Sequence, residues 1–352
     1  MLLFELEKES VWTQLKNTAE PIIMYGTGNG ADKVFEVFRK YGITVTGVTA
    51  SDGFVRERFF HGFKVKPVSE FEKEYENFTV VITFGSSIKS VIDNIKKLSE
   101  KHTVLVPCVP VVGNVIFNDD FISENEYDIN KAYTLFADEK SKEVYASYVN
   151  FEYSGKPEYL FGCESDENEA FINCIHLGEN ENYVDIGAYR GDTIEKFLSY
   201  TGGKYGFITA VEPDIKSFKK LCENCKELEN FEAVNKAVTR TDGKVGFSSL
   251  AGRQSSIGGN DVIDGVCLKT LCEKRKPTYI KIDSEGEEIN ILEGASKILS
   301  ECLPKLNIAA YHKNEDIFRI PVIISEISTE YRIYLRHHPY IPAWDTIIYC
   351  ER

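Results

Sequence analysis

The stretch Tyr183-Val-Asp-Ile-Gly-Ala-Tyr-Arg-Gly-Asp-Thr193 decides the fold of the C-terminal half of this chain. Its first four residues are an apolar run that predicts a strand, and Ile194-Glu-Lys-Phe-Leu198 has the pattern of an amphipathic helix. Gly187 and Ala188 break the strand, and Gly191 precedes the helix. Glycine permits positive φ and close approach of the backbone to a ligand, and a helix N-terminus offers unpaired N–H groups to an anion. The stretch therefore predicts a strand, a tight turn and a helix start that together hold a carboxylate or a phosphate.

Two acidic residues narrow the choice of ligand. Asp185 lies just before the turn, where a pyrophosphate would disfavour another carboxylate but a ligand with an ammonium beside its carboxylate would favour one. S-adenosylmethionine is such a ligand. Glu212 follows the next predicted strand, 206–211, and lies 21 residues after Gly191, close to the roughly 20-residue offset at which an acid meets a ribose diol. We therefore predict S-adenosylmethionine as cofactor, with a solvated loop acid or a charge in the first turn of the next helix as the alternative for Glu212.

More acids follow a third apolar strand, Thr278-Tyr-Ile-Lys-Ile-Asp283. In open α/β sheets the ligand lies beyond the carboxyl ends of the strands, so Asp283 and Glu285 are expected beside the cofactor. Each could instead cap the helix that begins near Gly286. The predicted cofactor site comprises Asp185, Gly187, Ala188, Tyr189, Gly191, Asp192, Thr193, Glu212, Pro213, Asn235 and Asp283.

Length and composition exclude several classes of protein. A chain of 352 residues is long enough for two ordinary domains, and no internal repeat is visible. The net charge of −14 argues against a nucleic-acid partner, because such proteins normally carry a basic surface. No apolar run approaches the roughly 20 residues of a membrane span, and the acidic start lacks a secretory signal. Nine cysteines without a dense framework fit reduced thiols, so we expect a cytoplasmic protein.

The N-terminal segment, residues 1–112, alternates strands and helices as a parallel sheet does. A strand at 21–25 leads into Gly26-Thr-Gly-Asn-Gly-Ala31 and a helix at 32–40, a relaxed dinucleotide fingerprint with Asp52 after the next strand. The segment is similar to the small Rossmann-like domains that precede sugar acyltransferase modules. The turn at Gly26–Ala31 either binds a nucleotide or nucleotide-sugar or has only a structural role.

The remaining chain divides into two further segments. Residues 113–178 are predicted to be a helical connecting segment, and residues 179–352 a second α/β unit. The fold class is therefore α/β with two Rossmann-like doubly wound units. In the second unit we predict a strand at 231–238, a hairpin around Thr241–Gly243, a loop at Leu250–Asn260, and a terminal hairpin that makes the last strand antiparallel.

The C-terminal unit resembles the FkbM-type methyltransferases, which are class I S-adenosylmethionine enzymes. The resemblance is carried by Val184–Thr193, Val211-Glu-Pro-Asp214, Ile280-Lys-Ile-Asp-Ser-Glu-Gly286 and Leu335-Arg-His337, together with Glu288, Leu292–Ala295 and His312. The helical segment that contains Asp138–Ser141 is similar to that of longer members. The resemblance implies methylation of a hydroxyl oxygen on a sugar, a glycan or a related small molecule. Thr270-Leu-Cys272 departs from the pattern, because relatives often carry Leu-Asp there.

Methyl transfer to a hydroxyl needs a group that takes its proton. His312 is the predicted base, with Asp283 orienting it or acting instead and His337 as a reserve. We predict no resident metal, although Asp283 could hold magnesium. The alternative class is a non-catalytic module that binds S-adenosylmethionine or a nucleotide. The sequence does not indicate the acceptor or the oligomeric state.

Overall fold

A computed structural model describes residues 1–51, 55, 58–248, 256–257 and 261–352. Asp52 and most of the predicted loop at Leu250–Asn260 lie outside these residues. The chain forms two compact units, and each is built from separate segments. The first contains Met1–Asn130, Glu143–Glu164 and His337–Asp345, and the second contains Lys131–Lys142, Ser165–Arg336 and Thr346–Arg352. The helical segment predicted at 113–178 is thus divided between the two units.

The first unit contains a six-stranded sheet with the strand order β3-β4-β2-β1-β5-β6, parallel except for the β3–β4 pair. Its apolar core is built from strand residues such as Met24 and helix residues such as Val34 and Phe38. The elements up to the end of this sheet are α1 (Val11–Asn17), β1 (Ile22–Tyr25), α2 (Asn29–Tyr41), β2 (Gly47–Thr49), β3 (Phe59–Phe60), β4 (Phe63–Lys66), α3 (Val68–Glu74), β5 (Thr79–Ile82), α4 (Lys89–Ser99) and β6 (Thr103–Leu105).

The glycine turn of the first unit has the local geometry that the fingerprint predicts. Gly26 has φ +131°, and Gly28 is the N-cap of α2. A Cβ at Gly30 would come within 2.5 Å of the Thr83 carbonyl oxygen, so this glycine permits close packing of the helix on the sheet. Nucleotide binding at Gly26–Ala31 stays a prediction.

Four helices follow the first sheet: α5 (Asp119–Leu135), α6 (Glu139–Ser154), α7 (Glu158–Cys163) and α8 (Glu167–Asn173). The helix α6 begins at a side-chain cap, because Asp138 accepts a hydrogen bond from the Ser141 backbone N–H at 2.8 Å. Asp138 also pairs with the buried Arg336 at 2.6 Å, within the second unit. Among the described residues, no helix combines the length and the apolar character that a bilayer span requires.

The second unit contains a seven-stranded sheet with the order β16-β17-β15-β14-β7-β8-β9. The last strand, β17, runs antiparallel to β15, as predicted, and the strand order reverses between β7 and β14. Its elements are β7 (Asn182–Ile186), α9 (Asp192–Tyr200), β8 (Phe207–Val211), α10 (Ile215–Asn224), β9 (Phe231–Val234), β10 (Ala237–Val238), β11 (Gly243–Ser248), β12 (Ser256–Ile257), β13 (Asp261–Val266), α11 (Leu268–Leu271), β14 (Tyr279–Ile282), α12 (Glu288–Cys302), β15 (Lys305–Ala309), α13 (Asp316–Ile327), β16 (Arg332–His337) and β17 (Thr346–Glu351).

Two local predictions for the second unit were wrong. The strand predicted at 231–238 is divided into β9 and β10, which belong to different sheets. The division falls at Asn235, whose side chain donates hydrogen bonds to backbone carbonyls at the end of β8. The strands on either side of Thr241–Gly243 do not form a hairpin with each other. They both pair with β13, in a small sheet of order β10-β13-β11-β12.

A cluster of aromatic rings packs beside the point where the strand order reverses. Tyr183 of β7 and Tyr279 of β14 stack with ring centroids 4.8 Å apart, and Phe197 of α9 lies 4.6 Å from Tyr183. All three side chains are buried. Large buried rings contribute much of a core's stability, so this cluster fixes the two strands whose carboxyl ends carry the site described below.

Candidate functional site

The turn after β7 has the backbone geometry that its glycines predict. Gly187 has φ +75°, Tyr189 has φ +47° and Gly191 has φ +91°. The N–H groups of Gly187 and Ala188 both donate to the carbonyl oxygen of Val211, at 3.0 and 3.1 Å, so the turn is tied to the end of β8. A Cβ at Gly187 would lie 1.9 Å from the Asp283 carbonyl oxygen. Only glycine therefore lets the turn cross this close to the end of β14.

The helix α9 begins directly after Gly191, as the sequence predicts. Gly191 is its N-cap and provides no side-chain cap, and Asp192 and Thr193 form its first turn. A Cβ at Gly191 would come within 3.0 Å of the Cys225 sulfur, so the helix start packs closely on α10. Backbone N–H groups at such a helix start favour a carboxylate.

Asp185 is fully buried beneath the turn. Its Oδ2 accepts a hydrogen bond from the Thr193 hydroxyl at 2.5 Å, and its Oδ1 lies 3.6 Å from the Lys281 ammonium. Burial raises the pKa of Asp185, while Lys281 and Thr193 oppose that rise. Because the carboxylate is enclosed and bonded to Thr193, Asp185 braces the turn against α9.

Lys281 links the turn, Asp185 and Asp283, and it was not among the residues predicted from the sequence. It is buried in β14, directly opposite Asp185 in the β7–β14 register. Its ammonium donates to the Gly187 carbonyl at 3.1 Å and lies 3.4 Å from Asp283 Oδ2. Burial alone would lower the pKa of Lys281, but the nearby Asp283 and Asp185 outweigh burial and raise it. The available signal was a lysine inside an otherwise apolar strand, since buried lysines are almost always paired.

Glu212 is held at the end of β8 by backbone donors. Its two carboxylate oxygens accept from the Tyr189 and Asp214 N–H groups, both at 2.8 Å. The Asn235 amide donates to the carbonyls of Glu212 and Pro213 at 2.8 and 2.9 Å, which fixes this corner further. Burial raises the pKa of Glu212 to about 7, although the two N–H groups oppose the rise. Each carboxylate oxygen keeps a second lone pair, so the group can still accept from a diol.

A cluster of acids surrounds His312 on the other side of the strand reversal. His312 Nδ1 lies 3.0 Å from Glu288 Oε1, and Nε2 lies 3.5 Å from Asp283 Oδ1 and 3.7 Å from Glu285 Oε2. His312 and Glu288 are buried, whereas Asp283 and Glu285 are partly exposed. The structure thus brings together the predicted residues Asp283 and His312. It adds Glu288, which the sequence analysis noted only as part of a family motif.

The acids keep His312 positively charged. Burial alone would lower the pKa of His312, but Glu288, Asp283 and Glu285 raise it to about 10. Burial raises the pKa of Glu288, but His312 outweighs burial and lowers it. An imidazolium donates protons and does not accept them. The His312 imidazole is therefore protonated near neutral pH and donates to the carboxylates beside it.

His337, the predicted reserve base, belongs to the first compact unit, whereas His312 and Asp283 belong to the second. It is fully buried, and burial followed by the nearby His338 lowers the pKa of His337 to about 3. The imidazole is thus neutral at physiological pH.

Comparison with known proteins shows what this fold and site resemble. Residues 185–342 match the family model described as "Methyltransferase FkbM domain". A crystal structure of methyltransferase FkbM from Methylobacillus flagellatus KT superposes with a TM-score of 0.73 at 22% identity, covering 95% of this chain and 90% of that chain. At this identity the superposition shows a shared fold. A search of curated proteins finds no match.

Two other solved structures are similar over about half of this chain. A precorrin-6y C5,15-methyltransferase from Geobacter metallireducens GS-15 has a TM-score of 0.34 at 14% identity, covering 56% of this chain and 89% of that one. Aeropyrum pernix fibrillarin, solved with natively bound S-adenosyl-L-methionine, has a TM-score of 0.31 at 11% identity and covers 50% and 69%. The family match carries the assignment: residues 185–342 form a methyltransferase domain of the FkbM family.

Proposed function

We propose that this methyltransferase transfers the methyl group of S-adenosylmethionine to a hydroxyl oxygen of a sugar, a glycan or a related small molecule. One observation carries the proposal. The anion-binding turn and the anchored Glu212 lie on one side of the strand reversal, and the partly exposed carboxylates beside His312 lie on the other. A ligand bound outside the carboxyl ends of β7 and β14 would lie between a cofactor cradle and a group of proton acceptors.

The cradle supports each charged part of the donor. The donor's carboxylate would bind the N-terminus of α9, and its ribose diol would donate to Glu212. Its ammonium and sulfonium carry positive charge, which the acidic strand ends favour. Asp185 and Lys281 would not contact the donor; they hold the turn in the shape that receives it.

The reaction requires alignment and removal of a proton. In an in-line displacement, a lone pair of the acceptor oxygen forms the new O–C bond while the C–S electrons return to sulfur, which leaves S-adenosylhomocysteine. Asp283 and Glu285 are the carboxylates placed to take the hydroxyl proton as that bond forms. The His312 imidazolium holds them in place and offsets their charge.

The acceptor class rests on the hydrogen-bonding character of the cluster. Carboxylates accept hydrogen bonds and donate none when ionised, so they suit an acceptor rich in hydroxyl groups. The family resemblance points to the same class. Nine cysteines without a dense disulfide pattern suit a reducing compartment, so we place the reaction in the cytoplasm.

Binding and turnover test the proposal separately. We expect isothermal titration calorimetry to show binding of S-adenosylmethionine and S-adenosylhomocysteine to the wild-type protein. Glu212→Gln places an amide NH₂ against one of two backbone N–H donors, so we expect its affinity to fall about tenfold or more. Glu232→Gln is the matched control, since Glu232 is an exposed acid in β9 on the same sheet, and its affinity should equal that of the wild type.

Methyl transfer is then measured with radiolabelled donor and a panel of sugars and hydroxylated small molecules, with S-adenosylhomocysteine release as a second readout. Absence of any calorimetric signal from folded protein would overturn the proposed cofactor. Binding without transfer to any acceptor of the panel would favour a non-catalytic binding module.

A further inference from the structure

The cluster around His312 has the composition and spacing of a metal centre. Asp283 follows β14, Glu288 lies in the first turn of α12, and His312 follows β15. One ligand atom from each of the three lies within 4.8 Å of the other two. Bonds of about 2.0–2.2 Å to a shared cation require ligand atoms within roughly 4.4 Å of one another, so small side-chain rotations would complete the set.

Glu288 provides an independent indication that the cluster suits a cation. Its Oε1 accepts from the Ser284 N–H at 2.7 Å, from the Ser284 hydroxyl at 3.0 Å and from His312 Nδ1. Its Oε2 is buried and has no hydrogen-bond partner among the described residues. A buried carboxylate oxygen without a donor or a counter-charge is unfavourable. A cation beside Oε2 would remove that penalty.

The surrounding charge also favours a cation. The carboxyl groups of Asp283, Glu285, Glu288 and Asp316 surround the single imidazole of His312. Asp316 is buried as well, and its Oδ1 has no hydrogen-bond partner among the described residues. Lys281 lies against Oδ2 of Asp283, whereas Oδ1 faces His312. The carboxylates of Asp283, Glu285 and Glu288 around one ring thus leave negative charge that a divalent ion would offset.

We propose that Asp283, Glu288 and His312 bind a divalent cation at this position, in exchange for a proton of the His312 ring, because only a neutral imidazole has a lone pair for a metal. Two carboxylates and one imidazole suit Mn²⁺ best, because carboxylates favour Mg²⁺ and Mn²⁺ while imidazole favours transition metals. The sequence predicted no metal here, because Glu288 and His312 are 24 residues apart and only the fold brings them together.

The cation's role in the reaction rests on the proposed function, whereas its binding does not. The partly exposed side of Asp283 gives an acceptor hydroxyl access to the cation, which would lower the pKa of that hydroxyl. Asp283 is then committed to the cation, so Glu285 takes the proton. The acceptor oxygen forms the new bond to carbon as the C–S bond breaks.

Mn²⁺ binding is measured directly by electron paramagnetic resonance on the full-length protein after treatment with EDTA. We expect one saturable site in the wild type. Glu288→Gln and Asp283→Asn should each weaken Mn²⁺ binding by about tenfold or more. Glu285→Gln removes an acid of the same cluster from outside the ligand set, so its Mn²⁺ affinity should stay within about threefold of wild type. Circular dichroism confirms that each variant is folded.

Three results would overturn the site: no saturable binding at millimolar Mn²⁺, unchanged binding in Glu288→Gln, or an equal loss in Glu285→Gln. The last result would mean that the negative charge attracts Mn²⁺ without ligating it. In a second step, methyl transfer by the EDTA-treated enzyme should recover on addition of Mn²⁺. Specific binding of Mn²⁺ without transfer to any hydroxyl would leave the metal site standing and remove the proposed function.

Discussion

Replacement of Gly187 by alanine tests whether the turn after β7 must cross the end of β14 as closely as the structure shows. Gly187 has φ +75°, and an added Cβ would lie 1.9 Å from the backbone oxygen of Asp283. A residue other than glycine in the left-handed region costs roughly 1–2 kcal/mol, and an overlap that moves the backbone adds roughly 1–3 kcal/mol. We therefore expect the free energy of unfolding to fall by about 2–5 kcal/mol in Gly187→Ala.

Gly202→Ala is the matched control. Gly202 has φ +62° in the same unit, but nothing lies within 4 Å of its added Cβ, so only the conformational cost of about 1–2 kcal/mol applies. Unfolding in urea is best followed by far-UV circular dichroism, since both tryptophans, Trp12 and Trp344, belong to the first unit. Equal losses in the two variants would refute the close crossing.

The same substitution should affect function more than stability. A shift of the turn moves the N–H groups of Ala188 and α9 that would receive the donor, and a displacement of about 1 Å can cost roughly 10²-fold in rate. We expect Gly187→Ala to bind S-adenosylhomocysteine more weakly in calorimetry, while Gly202→Ala binds as the wild type does. Unchanged binding in Gly187→Ala would show that the turn is not the cradle.

Two further predictions concern buried charge. Lys281→Met removes the ammonium beside the buried Asp185, so urea unfolding should show a loss of about 3–5 kcal/mol. The exposed pair of Lys244 should matter little, so Lys244→Met should change stability by less than about 1 kcal/mol, and similar losses in both variants would contradict the argument. The pKa of His312 is raised from 6.5 to about 10, so its stabilising contribution is complete below pH 6.5 and is lost as the pH rises to about 10. In metal-free protein, the stability difference between wild type and His312→Gln should shrink from pH 7 to pH 10, and a constant difference would contradict this pKa.

The turn between β7 and α9 could be predicted because its signals are local. The apolar run of β7, the glycines at the turn and the pattern of α9 lie within 20 residues, and periodicity alone places them. The end of β8 could be predicted for the same reason, since Glu212 directly follows an apolar strand.

The acid–histidine cluster could be predicted only in part. Asp283 and His312 stand at strand ends, which sequence patterns indicate. The acid closest to His312 is Glu288, which the sequence indicated only through the family resemblance, because an acid in the first turn of a helix has no pattern that marks it as buried. The neighbouring acids determine that His312 is an imidazolium, and the packing that brings Glu288 against the buried ring is not visible in the sequence.

Features that depend on long-range contacts could not be predicted from the sequence. The segment His337–Asp345 connects β16 to β17 of one unit but belongs to the other, and no sequence pattern marks such a transfer. The division of the strand at 231–238 was also missed, because the cause is a side-chain interaction of Asn235 with the neighbouring strand end. Both features depend on contacts between residues that are distant along the chain.

The interleaving of the two units has a consequence for the gene. Any deletion that starts the protein at residue 179 removes Asp138 but keeps Arg336, and so leaves a buried guanidinium without its carboxylate. A protein produced by recombination at the apparent border between the two α/β halves would have the same defect. We therefore expect the N-terminal half and the methyltransferase half to be inherited together. Proteins that contain only the C-terminal half should be rare unless they also contain the segment Lys131–Lys142.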